Sequence, residues 1–169
     1  MSTPTFSYAH PFPLADDGRE HELISSDYVT TDTFRGEEVI VIMPQGLSLL
    51  AKVAMRNCSF LLRTDHLKQM ATILEDSDSS PNDRFVALSL LRNAAIAAKG
   101  VLPFCQDTGT ALIYAQKGQR VWTLGDDTES LSRGVYETYT KENLRYSQMA
   151  PLNTYHEQNT RTNLPAQID

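Results

Sequence analysis

Cysteine is scarce in this chain of 169 residues, which has two, Cys58 and Cys105, and no Cys-x-x-Cys pair. Small secreted domains that depend on disulfides carry more cysteines, and no basic-then-apolar signal pattern opens the chain. We therefore interpret both residues as thiols and expect a cytoplasmic protein. The sequence also lacks His-Glu-x-x-His, P-loop and dinucleotide-binding glycine motifs. It predicts neither a zinc site built by this chain alone nor a nucleotide site.

Long hydrophobic runs and clusters of basic residues are missing as well. The longest apolar runs, residues 39–43 and 94–98, fall far short of the ~20 residues that a membrane-spanning helix needs. The net charge of -6 at pH 7 is mild, and Lys and Arg are dispersed along the chain. We therefore expect neither a membrane nor a nucleic acid as a partner. A hydrophobic content of 41% is enough for the core of an ordinary globular domain.

The pattern of residues predicts an α+β fold in three parts. Residues 1–35 contain prolines and hydroxyls but little periodicity, which predicts an extended N-terminal arm. Residues 36–150 predict a helix-rich domain, in which a short strand and a β-hairpin pack on helices. Residues 151–169 predict a polar extension that leads into a C-terminal part outside this chain.

The strands are predicted from short apolar runs. Residues 39–42 form a buried strand that ends at Pro44. Residues 111–115 and 120–124 are expected to pair as the hairpin, with Gly118 in the turn.

Four helices are predicted from helical spacing of apolar residues and from cap residues. Ser80 and Pro81 favour the start of the third helix, and Gly100 favours its end. Because few polar positions interrupt this helix, we expect it to be buried on most sides and central to the fold. Cys58 lies on the apolar stripe of the first helix with Leu61, and we interpret it as a core residue. The predicted helices are 47–62, 64–74, 81–99 and 128–142.

The segment 102–110, LPFCQDTGT, concentrates reactive side chains in a loop between the third helix and a strand. Cys105 in such a loop is compatible with a metal or cluster ligand, a nucleophile or a small packing residue. Its neighbours Gln106 and Asp107 would cost free energy to bury unpaired, which favours a polar ligand site. A nucleophile needs a base, and none of the histidines stands in a recognisable relation to Cys105.

Arg145 is the second candidate, in a polar loop after the fourth helix. It is either a solvated surface arginine or a clamp on a substrate carboxylate, for which the planar guanidinium is well suited.

The segment 97–110, AAKGVLPFCQDTGT, resembles class I fumarate hydratases, the iron-sulfur-dependent family. The resemblance covers essentially the whole chain. It implies that the chain is an N-terminal fragment of the long single-chain form and is inactive alone. The other matching segments are 10–14 (HPFPL), 117–123 (KGQRVWT), 133–136 (RGVY), 143–148 (NLRYSQ) and 162–169 (TNLPAQID).

The resemblance implies a four-iron four-sulfur cluster held by three cysteines, of which Cys105 is the first. One iron is then open to bind substrate as a Lewis acid, for the reversible hydration of fumarate to (S)-malate. Gln106 and Asp107 are implied to contact the dicarboxylate and its hydroxyl, and Arg145 to pair with a carboxylate. The other two cluster cysteines and the catalytic base are expected beyond this chain, so no catalytic residue is assigned within it. The family also implies a homodimer.

Three alternatives remain open at this point. Tartrate dehydratase is a related hydro-lyase whose α subunit shares the Cys-Gln-Asp-Thr-Gly core. A truncated, non-catalytic relative would act as a binding module for a partner subunit. A cysteine-dependent hydrolase would use Cys105 as its nucleophile.

Overall fold

A computed structural model describes residues 5–9, 18, 20–106, 109–142, 144–145 and 147–169. Strands and helices follow one another mostly in groups, and the strands form small separate sheets, which confirms the α+β class. The elements are β1 (Val29–Phe34), β2 (Glu37–Ile42), α1 (Pro44–Phe60), α2 (Thr64–Glu75), α3 (Pro81–Ala97), β3 (Leu112–Ile113), β4 (Val121–Thr123), α4 (Asp127–Lys141), β5 (Met149–Asn153), β6 (His156–Asn159) and β7 (Gln167–Ile168).

The strand β2 is the middle strand of a three-stranded sheet with the order β1-β2-β4. It pairs antiparallel with β1 and parallel with β4, and it contains the predicted strand 39–42. β1 lies within residues 1–35, so the segment predicted as an arm ends in a paired strand. The boundary predicted at residue 35 falls in the turn of this hairpin, where Arg35 and Gly36 have φ angles of 52° and 85°.

The predicted hairpin between residues 111–115 and 120–124 is wrong. β3 pairs parallel with β7, whereas β4 pairs parallel with β2 in the other sheet. The N–H groups of Gln167 and Asp169 donate to the carbonyls of Ala111 and Ile113, each at 2.9 Å. Gly118 therefore indicated a turn, but β3 and β4 do not pair with each other across it. Each pairs with a strand that is distant in sequence.

A hairpin does occur later in the chain, where β5 pairs antiparallel with β6. β5 crosses the boundary predicted at residue 150, and β7 follows within residues 151–169. The segment predicted as a polar extension thus contains two paired strands.

Local capping chemistry sets the helix ends. The Ser80 hydroxyl accepts a hydrogen bond from the Asp83 N–H, and the Asp83 carboxylate accepts one from the Ser80 N–H at 2.9 Å. Gly100 follows α3 with a φ of 74°, so the predicted start and stop of this helix are confirmed. α4 is capped by Asp126, whose side chain accepts from the Glu129 N–H, and the helix begins at Asp127, one residue before the predicted start.

The core of the fold is the contact between α1 and α4, where small residues let the two backbones approach closely. A Cβ on Gly134 would lie 2.6 Å from the Ala51 Cβ and would also press on the main chain of Ser48 and Lys52. The Thr138 hydroxyl lies 3.2 Å from the Lys52 carbonyl, and the Ser48 hydroxyl donates to the Ser130 carbonyl at 2.8 Å. Next to these contacts Val135 is fully buried.

The expectation that the third helix is central is wrong. In α3 the buried apolar residues are three alanines, whereas Phe85 and Ile96 are 69% and 58% exposed. α3 packs mainly against α2, beside the α1–α4 pair. Within the described ranges, no helix is both long enough and apolar enough to cross a membrane.

The interpretation of Cys58 as a core residue is also wrong, because its side chain is exposed. The face of α1 that meets α4 runs through Ser48, Ala51 and Lys52, and Phe60 is buried near the helix end. The side of α1 that packs on α4 is therefore marked by small residues such as Ser48 and Ala51, and Cys58 lies outside this contact.

Replacing Gly134 with alanine should destabilise the fold. Helix propensity alone favours alanine by about 1 kcal/mol. The added methyl, however, meets main-chain atoms of α1 that have no rotamer to change, and overpacking of this kind costs about 1–3 kcal/mol or more. We expect a lower free energy of unfolding in urea titrations followed by circular dichroism. Gly118→Ala is the matched control, since its methyl would find Val121 Cγ2 at an ordinary 3.8 Å. Equal stability of the two variants would contradict the close approach.

Candidate active site

Two irregular segments carry the predicted site residues. The cysteine loop, residues 100–106, connects α3 to β3. The arginine segment, residues 144, 145, 147 and 148, connects α4 to β5. Asp107 lies outside the described residues. Loops that are fastened to rigid elements are where proteins commonly present reactive side chains.

Main-chain hydrogen bonds at Phe104 fasten the cysteine loop. The Phe104 N–H donates to the Ser59 carbonyl at 3.1 Å, and the Asn93 side-chain amide donates to the Phe104 carbonyl at 2.6 Å. Ser59 lies in the last turn of α1, where carbonyls lack partners within the helix. The loop therefore uses an otherwise unpaired acceptor of α1 and a side chain of α3.

Beyond this attachment, the side chains of Cys105 and Gln106 are exposed. Neither cysteine forms a disulfide within the described residues, which agrees with the interpretation of both as thiols. The loop thus presents a thiol and an amide at the surface while its main chain at Phe104 is held.

Arg56 of α1 supports the start of both segments. Its Nε donates to the Glu142 carboxylate at 3.3 Å, at the end of α4. A Cβ built on Gly100 would lie 2.6 Å from an Arg56 nitrogen, so the guanidinium also lies against the turn that begins the cysteine loop. The ring of Phe60 lies 5.3 Å from the Arg56 guanidinium carbon, a cation–π distance.

The arginine segment begins with a buried side chain, which is followed by an exposed one. Leu144 is buried, and the side chain of the next residue, Arg145, is exposed. The segment is therefore anchored through Leu144 while the guanidinium of Arg145 reaches the surface.

Asn163, to which the sequence analysis gave no role, connects Gly109, three residues after the cysteine loop, with the arginine segment. Its side-chain oxygen accepts hydrogen bonds from the N–H groups of Ser147 (3.0 Å) and Gln148 (3.2 Å). Its side-chain nitrogen donates to the Gly109 carbonyl at 3.0 Å. Asn163 is completely buried, so these bonds are made away from water. Thr110 adds a hydrogen bond to the Gln148 side chain at 3.0 Å.

Among the described residues, two carboxyl groups with lowered pKa values, Asp127 and Asp83, lie in structural contacts. The Lys117 ammonium, with a smaller effect from the Thr123 hydroxyl, holds the pKa of the Asp127 carboxyl below its ordinary value. Hydrogen bonds from Ser80 lower the pKa of Asp83 in the capping box of α3. These carboxylates belong to an ion pair and a helix cap, which also perturb pKa values.

Comparison with known proteins identifies the family. Residues 48–169 match the family model described as Fumarate hydratase (Fumerase). The chain belongs to the fumarate hydratase family. It is 57% identical over all 169 residues to "Fumarate hydratase class I, anaerobic" of Escherichia coli K12 and 56% identical to the aerobic form of the same organism. It is 47% identical over 152 residues to "Fumarate hydratase 1, mitochondrial" of Leishmania major.

The chain spans less than a third of the length of these curated relatives. It covers 31% of each Escherichia coli fumarate hydratase and 28% of the Leishmania fumarate hydratase. In the first two comparisons the whole chain is aligned, so the similarity includes both segments of the candidate site.

Replacing Asn93 with alanine should loosen the cysteine loop. Loss of the bond to the Phe104 carbonyl lowers the free energy of local opening of the loop by about 1 kcal/mol, which corresponds to about a fivefold larger opened population. Hydrogen–deuterium exchange of peptides covering residues 101–106 would measure this increase. Asn82→Ala, at the other end of α3, is the control and should leave that exchange unchanged. Unchanged exchange in Asn93→Ala would show that the bond does not hold the loop.

Proposed function

We propose that this chain is the N-terminal part of a class I fumarate hydratase, which catalyses the reversible hydration of fumarate to (S)-malate. The observation that carries the proposal is the cysteine loop, which exposes Cys105 and Gln106 while Phe104 is bonded to α1 and α3. The names of the similar proteins and the full alignment of the chain with two of them support the same activity.

A four-iron four-sulfur cluster is the cofactor that we propose, with Cys105 as one ligand. An exposed thiol at the end of an anchored loop fits one corner of such a cluster, because thiolates are its usual ligands. The described part of the chain contains no group of three or more His, Cys, Asp or Glu side chains able to hold a metal ion. The residues present therefore fit a single ligand position, and the remaining cysteines are proposed to come from outside residues 1–169. When bound, the cluster would supply a Lewis acid for the substrate.

The substrate in this proposal is a small dicarboxylate, and three side chains of the chain bind it. The Arg145 guanidinium pairs with one carboxylate through two parallel N–H donors. The Gln106 amide donates to the second polar end of the substrate, and Asp107 accepts from its hydroxyl. These groups orient the substrate, and the base that removes a proton is proposed to lie in the remainder of the enzyme.

The same proposal includes a homodimer in the cytoplasm that takes part in the tricarboxylic acid cycle. Tartrate dehydration is the competing activity, since the Cys-Gln-Asp-Thr-Gly segment alone does not separate the two. Assays of the full-length protein with malate, fumarate and tartrate decide between them, and turnover of tartrate without malate would overturn the choice of substrate.

Substitution of Cys105 should abolish both the cluster and activity. We expect anaerobic iron-sulfide reconstitution of the full-length Cys105→Ala variant to give neither the visible absorbance of a cluster nor malate dehydration. Cys58→Ala is the matched control, because Cys58 is also an exposed cysteine, on α1, and the variant should retain both. A Cys105→Ala protein with normal iron content and activity would eliminate Cys105 as a ligand.

Substitution of Arg145 should weaken substrate binding. Loss of a charge-assisted pair of hydrogen bonds costs about 1.5–3 kcal/mol, so the KM for malate in full-length Arg145→Ala should rise by about 10-fold to 150-fold. Arg133→Ala removes an arginine that pairs with Glu129 on the surface of α4 and should change KM little. Equal KM values in the two variants would argue against a carboxylate contact at Arg145.

A further inference from the structure

The cysteine loop and the arginine segment are each held at two ends. At their start, both depend on α1, since Ser59 binds Phe104 and Arg56 contacts the Gly100 turn and Glu142. After Cys105 and after Arg145, the main chain is bonded in both cases to one residue, Asn163. Gly109 lies four residues after Cys105, and Ser147 lies two residues after Arg145. One side chain therefore holds the main chain shortly after Cys105 and shortly after Arg145.

The chemistry of Asn163 is well matched to this position. An amide is one of the few side-chain groups that combine a two-bond acceptor with a donor, and here it accepts from Ser147 and Gln148 while it donates to Gly109. Asn163 also has a φ of 54°, a left-handed conformation that asparagine tolerates better than most residues. Both the backbone and the side chain thus favour asparagine over an apolar residue of similar size.

The burial of Asn163 makes its hydrogen bonds consequential. Its exposed fraction is 0%, so a broken bond is not replaced by one to bulk water. Leaving one buried polar partner unsatisfied costs about 1–3 kcal/mol. The amide therefore resists relative displacement of Gly109 and the Ser147–Gln148 main chain.

We propose that Asn163 is a positioning residue: its buried amide sets the placement of the cysteine loop relative to the arginine segment, and so of Cys105 relative to Arg145. The inference rests on the proposed function, in which Arg145 and Gln106, the neighbour of Cys105, bind the same dicarboxylate. A substrate held at both ends is sensitive to the spacing of its two binding groups, because a change in that spacing weakens the contact of the substrate with one of them.

Asn163→Asp is the sharpest test, because aspartate has nearly the same shape. Its carboxylate can still accept from Ser147 and Gln148, but it cannot donate to the Gly109 carbonyl when ionised. The variant should therefore release the cysteine loop and leave the arginine segment attached. Asn153→Asp is the matched control, since Asn153 makes a similar bond to the Tyr155 N–H in an exposed turn.

The first measurement is hydrogen–deuterium exchange of the full-length protein without a cluster. In Asn163→Asp, peptides covering residues 101–110 should exchange at least about fivefold faster, as expected for loss of a bond worth about 1 kcal/mol, while residues 147–148 remain protected. In Asn163→Gly, which keeps the backbone conformation accessible, both regions should exchange faster. Unchanged exchange in both variants would overturn the proposal. If Asn163→Asp does not fold, Asn163→Gly alone tests the proposal: faster exchange in both regions supports it, and unchanged exchange overturns it.

The second measurement is steady-state kinetics of the reconstituted full-length enzyme. We expect Asn163→Asp to raise the KM for malate by about 10-fold or more, with a smaller change in kcat. The increase should be much smaller in an Arg145→Ala background, because the two residues act on one spacing and their effects are not additive. A fall in melting temperature with an unchanged KM, or additive effects on KM, would assign Asn163 a purely structural role and overturn the proposal. If the wild-type enzyme has no malate or fumarate activity, the proposed function fails, whereas the exchange experiment still tests the link between the two segments.

Discussion

The close approach of α1 and α4 at Gly134 is the constraint on which the candidate site depends. The two backbones are near enough that a Cβ at Gly134 would meet main-chain atoms of α1, and hydroxyls of Ser48 and Thr138 bridge the helices. This contact fixes the C-terminal turns of both helices relative to each other. The cysteine loop begins beside the end of α1, and the arginine segment begins at the end of α4. The close packing at Gly134 therefore affects the relative positions of both segments, because each segment begins at the end of one of the two helices.

Main-chain hydrogen bonds, more than apolar burial, fix the loops of the site. Phe104 is held through its own N–H and carbonyl, and Gly109, Ser147 and Gln148 are held through theirs. The side chains of Cys105, Gln106 and Arg145 are exposed and do not form part of the core. This separation suits a ligand site. Main-chain hydrogen bonds hold the backbone in place, so the polar side chains are available to bind a ligand.

Features governed by neighbouring residues could be predicted from the sequence. The capping box at Ser80 and the left-handed Gly100 fixed the limits of α3, and the apolar run at residues 39–42 marked β2. Features governed by distant partners could not. The turn signal at Gly118 suggested a hairpin, but β3 and β4 pair with strands far away in the chain. The burial of α3 and of Cys58 was misjudged for a related reason, since apolar spacing identifies a helix but not which face meets a neighbour.

Asn163 illustrates the limit of sequence reasoning at a site. Cys105 and Arg145 can be identified from the sequence because thiols and guanidinium groups have distinctive chemistry, whereas asparagine is common in loops and turns. Its importance comes from complete burial, a positive φ and three bonds to residues 15, 16 and 54 positions away in the chain. None of these properties is encoded within a few residues of it. Residues that bear chemistry can be found by type and motif, but residues that place them must be found from geometry, and the accuracy of a binding site depends on both.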